Sequence, residues 1–325
     1  MTGFLLRRLL LLPLALIIVH FAGFAFAHLT YQMHQAQTIF GSGKEGITPV
    51  WPEYGEYLRG AVRGDFGQMP VGVDQSIAAS IGSAGLASLG LLALAFVLSA
   101  GLGLLFGLIS VRVDPPRTVP LLTLASTVGL AMPGFFTGTL LVGGLLFLSL
   151  RGGANPLLPV AGFGWDAHLI LPVAALIIRP SAQVARVTGS LLAGELEKRY
   201  VVTARSVGHT WRVIRWDKAL RNILAPVLLT AAGSFRLMTA ELVLVEWLFN
   251  WPGVGRMLVQ ALVPPSVSGV GGLADTSVYF MNPPIIAGLL VVFALWFLLA
   301  DTAASGLARM ADPRLRIVEE EANYG

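Results

Sequence analysis

The chain has 325 residues, of which 55% are hydrophobic and 12% charged, and its mean hydropathy is +0.74. Soluble proteins carry about 25% charged residues, so this composition excludes a soluble globular domain and points to an integral membrane protein. There is no cysteine, which removes disulfides, thiolate metal sites and cysteine nucleophiles, and the small net charge of +4 has its cations arranged by topology and not among aromatic stacking positions, so nucleic-acid binding is not indicated.

A hydrocarbon core of about 30 Å needs roughly 20 apolar residues as helix. Six stretches qualify: Leu9–Ala27, Ala84–Val111, Val119–Leu150, Leu169–Leu191, Ile223–Phe249, and Pro283–Asp301 with a few residues beyond. Apolar runs of this length and continuity exclude strands, so the expected fold is an all-α membrane protein with six transmembrane helices. The first span follows Arg7 and Arg8 and ends in Ala25-Phe26-Ala27, which resembles a secretory cleavage site; the run exceeds a usual signal core, so an uncleaved first span is expected. In the loop beyond it, Gly41-Ser-Gly-Lys44 is faintly like a phosphate-binding loop, but the earlier glycine is missing and Glu45 follows the lysine. It is not read as a nucleotide site. Tyr54, Tyr57, Leu58 and Val62 recur at helical spacing in the same loop, for packing on the outer membrane face or, alternatively, for docking a solute-binding protein.

The cations orient these spans. Of the 22 Lys and Arg, 15 fall in the loops and termini of one side: Arg7 and Arg8, Arg112 and Arg117, eight from Arg186 to Arg221, and Arg309, Arg314 and Arg316. Five (Lys44, Arg59, Arg63, Arg151 and Arg256) fall on the other, and Arg179 and Arg236 lie within spans. The positive-inside rule makes the richer side, with both termini, cytoplasmic. The outer loops, 30–83, 151–168 and 250–282, are long and punctuated by glycine and proline, which suits either contact with an outside partner or packing caps.

Charges at membrane depth are costly, about 2.5 to 3.5 kcal/mol on insertion scales, and default to pathway or pairing roles. On the fourth span Arg179, Gln183, Arg186 and Ser190 share one helical face, and Arg179 lies about 16 Å below His168 at 1.5 Å per residue. Pro180 should loosen the helix there. Arg236 and Glu241 on the fifth span point about 140° apart, so each must find its partner elsewhere. One expectation is that Arg179 or Arg236 meets anionic groups of a cargo and Glu241 an amine; the preferred alternative is that these charges pair between spans or with a second subunit. The histidines His20, His28, His34, His168 and His209 have no tight ligand spacing, so no metal site is expected, and no Ser/His/Asp arrangement can be defended.

Between the fourth and fifth spans, Gly194 to Pro226 forms a basic amphipathic segment. Taken as helical from Lys198 to Trp216, it repeats Tyr200, Ala204 and Val207 on one face, with Lys198, Arg199, Arg205, Arg212 and Arg215 elsewhere, and Gly208 and Thr210 divide it into two short helices. The pattern alone suits either a protein-docking knob or an interfacial helix on anionic headgroups. The sequence from Tyr200 to Gly208, followed by Lys218-Ala-Leu-Arg-Asn222 and Pro226, resembles the EAA loop of ABC-importer permeases of the dipeptide/oligopeptide/nickel branch, with Lys218 where that branch has histidine. Gly64-Asp-Phe-Gly67, Met132-Pro-Gly-Phe135, Glu246 to Gly255, Asp301 and Asp312-Pro-Arg-x-Arg316 extend the resemblance over nearly the whole chain.

The resemblance implies a type I importer permease with a cytoplasmic coupling helix at about 198–216, in a bacterial cytoplasmic membrane, importing peptides or another small solute such as a nickel chelate. It divides the chain into an N-terminus and first span (1–30), an external loop (31–83), a core permease domain (84–316) and a cytoplasmic tail (317–325), where Glu319 to Glu321 read as solvated. It implies a second, homologous permease subunit, two ATP-binding subunits and an external solute-binding protein. ATP and magnesium would be bound by the partners, leaving this chain without cofactor and not an enzyme. Tyr200, Ala204, Arg205, Gly208 and Arg221 are the coupling candidates. Arg179, Gln183, Arg236 and Glu241 are candidates for the translocation path, and Glu246, Pro252, Gly253 and Gly255 for a re-entrant or capping loop outside the fifth span that forms part of an outer gate. A different class, an ion-gradient-driven transporter, would favour internal inverted repeats, and none is evident.

Overall fold

A computed structural model of the chain describes residues 2–37, 48–69, 75–153, 156–264 and 279–311. The glycine-rich stretch at Gly41–Lys44, the Asp312–Arg316 motif and the Glu319–Glu321 cluster lie outside them. In chain order the elements are α1 (Thr2–Gln37), α2 (Val50–Val62), α3 (Ile77–Ile109), a hairpin of β1 (Val111–Val113) and β2 (Pro116–Thr118), α4 (Pro120–Ala131), α5 (Gly134–Gly152), α6 (Ile170–Leu196), α7 (Arg199–Ser206), α8 (Trp211–Val213), α9 (Leu220–Leu248), α10 (Val254–Leu262) and α11 (Pro283–Ala311). A π-helical segment, Ile214–Ala219, carries α8 into α9 without a break.

Among the described residues six helical segments are long and apolar enough to cross a membrane: Leu11–Gln35, Ile77–Ile109, Gly134–Gly152, Ala167–Leu196, Trp211–Leu248 and Pro283–Leu307. Among the described residues the fold is all-α apart from the hairpin and one isolated bridge, Gln68 with Ser76. The third expected span, 119–150, is not one helix. It breaks at Met132 and Pro133, both extended, because a proline disfavours helical backbone at the residue before it and cannot donate in the ladder itself. The short loop holding Arg112 and Arg117 is a hairpin that pairs these two residues directly across from each other.

The chain divides into two compact units, Met1–Gly90 with Asn250–Leu298, and Leu91–Phe249 with Leu299–Gly325. In the first, α2 lies on α1: Tyr54 is buried with Phe24 and Ala287, and Phe21 stacks on Trp51 with ring centroids 4.6 Å apart. Of the four residues that recur at helical spacing here, Tyr54 is buried and Tyr57 packs beside it, whereas Leu58 is 40% and Val62 88% exposed. In the second unit α6 is central, packing most extensively on α9 and also on α4 and α5. α3 approaches α6 at small residues: a Cβ on Gly103 would lie 2.6 Å from that of Val184, so only glycine permits this spacing.

Candidate functional site

Two polar constructions in the second unit carry the candidate site, one within the spans and one at the end of α6. The first is built on Glu241. Its Oε1 accepts from Arg179 Nη1 at 2.7 Å, and its Oε2 accepts from the backbone N–H of Gly134 at 3.0 Å. The carboxylate therefore caps the N-terminus of α5, whose free N–H groups and dipole favour negative charge, while pairing with a guanidinium on α6. One residue of α9 thus ties three helices together. Gly134 is required by this approach, because a Cβ there would meet Oε2 at 2.6 Å.

Arg236, one and a half turns earlier on α9, donates to Asp301 Oδ1 on α11 at 3.0 Å. The Ser234 hydroxyl donates to Gln183 Oε1 at 3.5 Å. The charges singled out at membrane depth are thus paired between helices, Arg179 with Glu241 and Arg236 with Asp301. The polar stripe of α6 is divided in use: Arg179 and Gln183 engage α9, and Arg186 and Ser190 border a cavity of about 420 Å³ that also meets Leu102, Ser126 and Ser181.

The second construction is an elbow. Glu195, near the end of α6 and 5% exposed, accepts from Lys198 Nζ at 2.5 Å and from Asn222 Nδ2 at 2.7 Å, so the end of α6, the start of α7 and the first turn of α9 share one carboxylate. Tyr200 lies against the same group; burial first, and the Glu195 charge second, push its phenol up to about 12. α7 buries Val201 and Ala204 against Leu196, Ile214 and Ile223. Val207, expected on that face, is 74% exposed, because α7 stops at Ser206 and the chain turns away; Val201 takes the inner place. Gly208 makes the turn at φ +93, a conformation that L side chains rarely adopt. The His209 N–H returns to the Ala204 carbonyl at 3.0 Å, and the Arg205 guanidinium stacks 4.7 Å over Trp211.

The expected second short helix is not separate. Thr210 caps α8, and α8 runs on through the π-helical segment into α9, so the elbow is one short helix hinged to the head of a spanning helix. Arg205 and Gly208 are exposed at its tip, and Arg221 is exposed lower down, 3.6 Å from Asp217.

The outer-gate candidates separate. Glu246 is not in a loop: it lies inside α9 with no exposed surface, since the helix continues to Leu248. Pro252 is exposed, Gly253 is the N-cap of α10 and Gly255 is buried in its first turn. Pro252, Gly253 and Gly255 belong to the first unit, where the segment is fixed by Trp251 Nε1 donating to the Ala87 carbonyl at 3.2 Å and by the Val254 N–H donating to Ser88 Oγ at 2.9 Å. Burial holds the Arg256 guanidinium below its ordinary range.

Some of this was not anticipated from the residues. The Gly134 amide as partner of Glu241 left a trace in Pro133-Gly134, which interrupts an apolar run and frees N–H groups. The Glu195–Lys198 contact is an i,i+3 spacing that could have been read, but Asn222 joins it across 27 residues and had no local signal. Among the described residues no cluster of His, Asp and Glu could hold a metal ion.

Residues 99–317 match the model of the family described as the binding-protein-dependent transport system inner membrane component. The chain is 27% identical to the dipeptide transport system permease protein DppB of Lactococcus lactis subsp. cremoris over 83% of its own length and 82% of the relative's. It is 29% identical to the glutathione transport system permease protein GsiC of Escherichia coli (82% and 80%) and 26% identical to the oligopeptide transport system permease protein AppB of Bacillus subtilis (82% and 81%). Broken apolar helix, basic elbow and family match together define a permease of the type I importer class. The chain belongs to the binding-protein-dependent transport system inner membrane components: it is a multi-pass permease subunit, a transport component rather than an enzyme. Membership implies partners that bind solute and hydrolyse ATP.

Proposed function

We propose that this chain imports peptides, pairing with a second, homologous permease subunit, driven by two ATP-binding subunits that carry ATP and magnesium, and supplied by an external solute-binding protein. The peptide class rests on the relatives, which are permeases for dipeptide, glutathione and oligopeptide transport. Both termini and the elbow face the cytoplasm, as the distribution of 15 cations against five supports.

The observation that carries the mechanism is the shared carboxylate of Glu195. With Lys198 and Asn222 both bound to it, a push on α7 is passed to α6 and α9 together, the two helices that also bear the Arg179–Glu241 pair. The outward face of α7, with the exposed Val202, Arg199 and Arg205, and Val207 just past its end, offers an ATPase an apolar area beside cations. Tyr200 and Ala204 seat the elbow, Gly208 permits its turn, and Arg221 adds a cation beneath it. ATP-driven closure of the partners brings two such elbows together and rocks the spans from inward-open to outward-open. Arg179, Gln183, Arg236 and Glu241 border the path through their contacts between helices.

Since the chain lacks cysteine, Ser206→Cys introduces a single thiol at the elbow. In the assembled transporter it should crosslink to an ATPase subunit and be reached by a membrane-impermeant maleimide only from the cytoplasmic side. Labelling from outside, or uptake that proceeds without ATP, would overturn the proposal.

A further inference from the structure

The head of α9 holds a second basic feature, built from residues other than the named coupling residues Tyr200, Ala204, Arg205, Gly208 and Arg221. Trp211 and Arg212 on α8, Arg215 and Trp216 on the π-helical segment, and Val113 on β1 surround a recess of about 310 Å³. Arg215 Nη2 donates to the Val111 carbonyl at 2.5 Å, which fixes the guanidinium against the hairpin, while its Nε is buried and has no hydrogen-bond partner among the described residues. Neither Arg212 nor Arg215 has a carboxylate within ion-pairing distance among the described residues, although Arg221, six residues beyond Arg215, has Asp217. Two guanidiniums and two indoles facing one recess make a site for a tetrahedral oxyanion with apolar substituents. Arginine forks match phosphate oxygens, and indole faces accept the adjoining carbon groups.

Depth identifies the source of that anion. Trp216 lies seven residues before Ile223, where the apolar span begins, or about 10 Å along the helix at 1.5 Å per residue. That is the level of the polar headgroup layer, where tryptophan concentrates and basic pockets hold anionic lipid heads. We propose that this recess binds the phosphodiester of an anionic phospholipid of the cytoplasmic leaflet, anchoring the base of the elbow to the bilayer while α7 above it remains open to the ATPase. The leaflet rests on the orientation proposed above; the headgroup preference does not.

The test is lipid retention by the full chain in detergent, read by native mass spectrometry after adding phosphatidylglycerol or, separately, phosphatidylcholine. Phosphatidylglycerol should be retained preferentially, and Arg212→Gln with Arg215→Gln should lower that retention about tenfold. Arg212→Gln alone, which leaves the Arg215–Val111 bond in place, should lower it in part, and Arg215→Lys should keep more than Arg215→Gln. Arg59→Gln with Arg63→Gln, a control of equal charge on the opposite face of the topology, should leave it unchanged. Equal retention of both lipids, or an equal loss in the control, would overturn the site. Displacement of the lipid by millimolar inorganic phosphate would assign the recess to the free anion instead. Protection of Arg212 and Arg215 by an ATPase subunit with no lipid retained would assign it to an acidic protein side chain, and either result defeats the lipid proposal.

Discussion

Removing one charge of the Arg179–Glu241 pair tests how the intramembrane cluster is held. The two side chains meet at 2.7 Å with 35% and 13% of their surfaces exposed, intermediate between a solvated pair worth about 0 to 1 kcal/mol and a fully buried one whose disruption costs about 3 to 5. Glu241→Gln retains an oxygen for the Gly134 N–H, so it removes the charge interaction while sparing the cap of α5. A loss of about 2 kcal/mol is expected, and Arg179→Gln should cost as much or slightly more because it strands the less exposed carboxylate. The double variant, an amide facing an amide, should be less damaging than the sum of the two by about 1 to 2 kcal/mol. Thermal unfolding of the purified chain in detergent measures all three; at roughly 2 to 4 °C per kcal/mol the single variants should melt about 4 to 8 °C lower. If the double variant is additive to within about 0.5 kcal/mol, the two residues are not coupled and the three-helix clip is refuted. In reconstituted transporter the variants should lower the amount of active protein without changing which peptide is preferred; altered preference would return these charges to cargo contact.

Gly134→Ala should lower the melting temperature by a few degrees, since its methyl displaces Glu241 Oε2 from 2.6 Å and overpacking costs about 1 to 3 kcal/mol; an unchanged melt would mean that the helix break tolerates a side chain. Glu195→Ala should leave ATP hydrolysis running while uptake falls severalfold, measured on the same vesicles, because α7 is then detached from α6 and α9; parallel losses of both activities would point to misfolding. Gly208→Ala should cost about 1 to 2 kcal/mol through its φ of +93 and reduce uptake with it, as a melt and a transport assay would both report. The raised Tyr200 phenol predicts a pH dependence: the folded chain keeps its proton from the ordinary value near 10 up to about 12, so stability is full below pH 10 and declines through that window. Tyr200→Phe should remove that part of the alkaline slope in unfolding titrations.

The spans were legible because each is a local property. About 20 consecutive apolar residues can satisfy their backbone in lipid only as helix, and the rule holds whatever the neighbours do. The one span that was misjudged, 119–150, contained its own warning in Met132-Pro133, which apolar length alone outweighed. The elbow was legible in outline for the same reason: Gly208 and Thr210 announce a turn and a cap within a few residues of sequence. Its inner face was not, since whether Val201 or Val207 is buried depends on where α7 ends.

The pairing of charges needed the assembled fold. Residues 179 and 241, 236 and 301, or 195 and 222 are brought together by helices that pack, and helical spacing constrains only neighbours three or four apart. The sequence could state that Arg236 and Glu241 diverge and that each needs a partner, because an unpaired charge in hydrocarbon is too costly to persist. It determined, by itself, the membrane class, the number of spans, the charge asymmetry and the site of the elbow. Only the tertiary structure decided which charge neutralises which, that Glu241 caps a broken helix as well as pairing with Arg179, and that one carboxylate, Glu195, joins the elbow to two spans. Those outcomes depend on distances between segments far apart in the chain, and such distances are set by side-chain packing across helices rather than by any local periodicity.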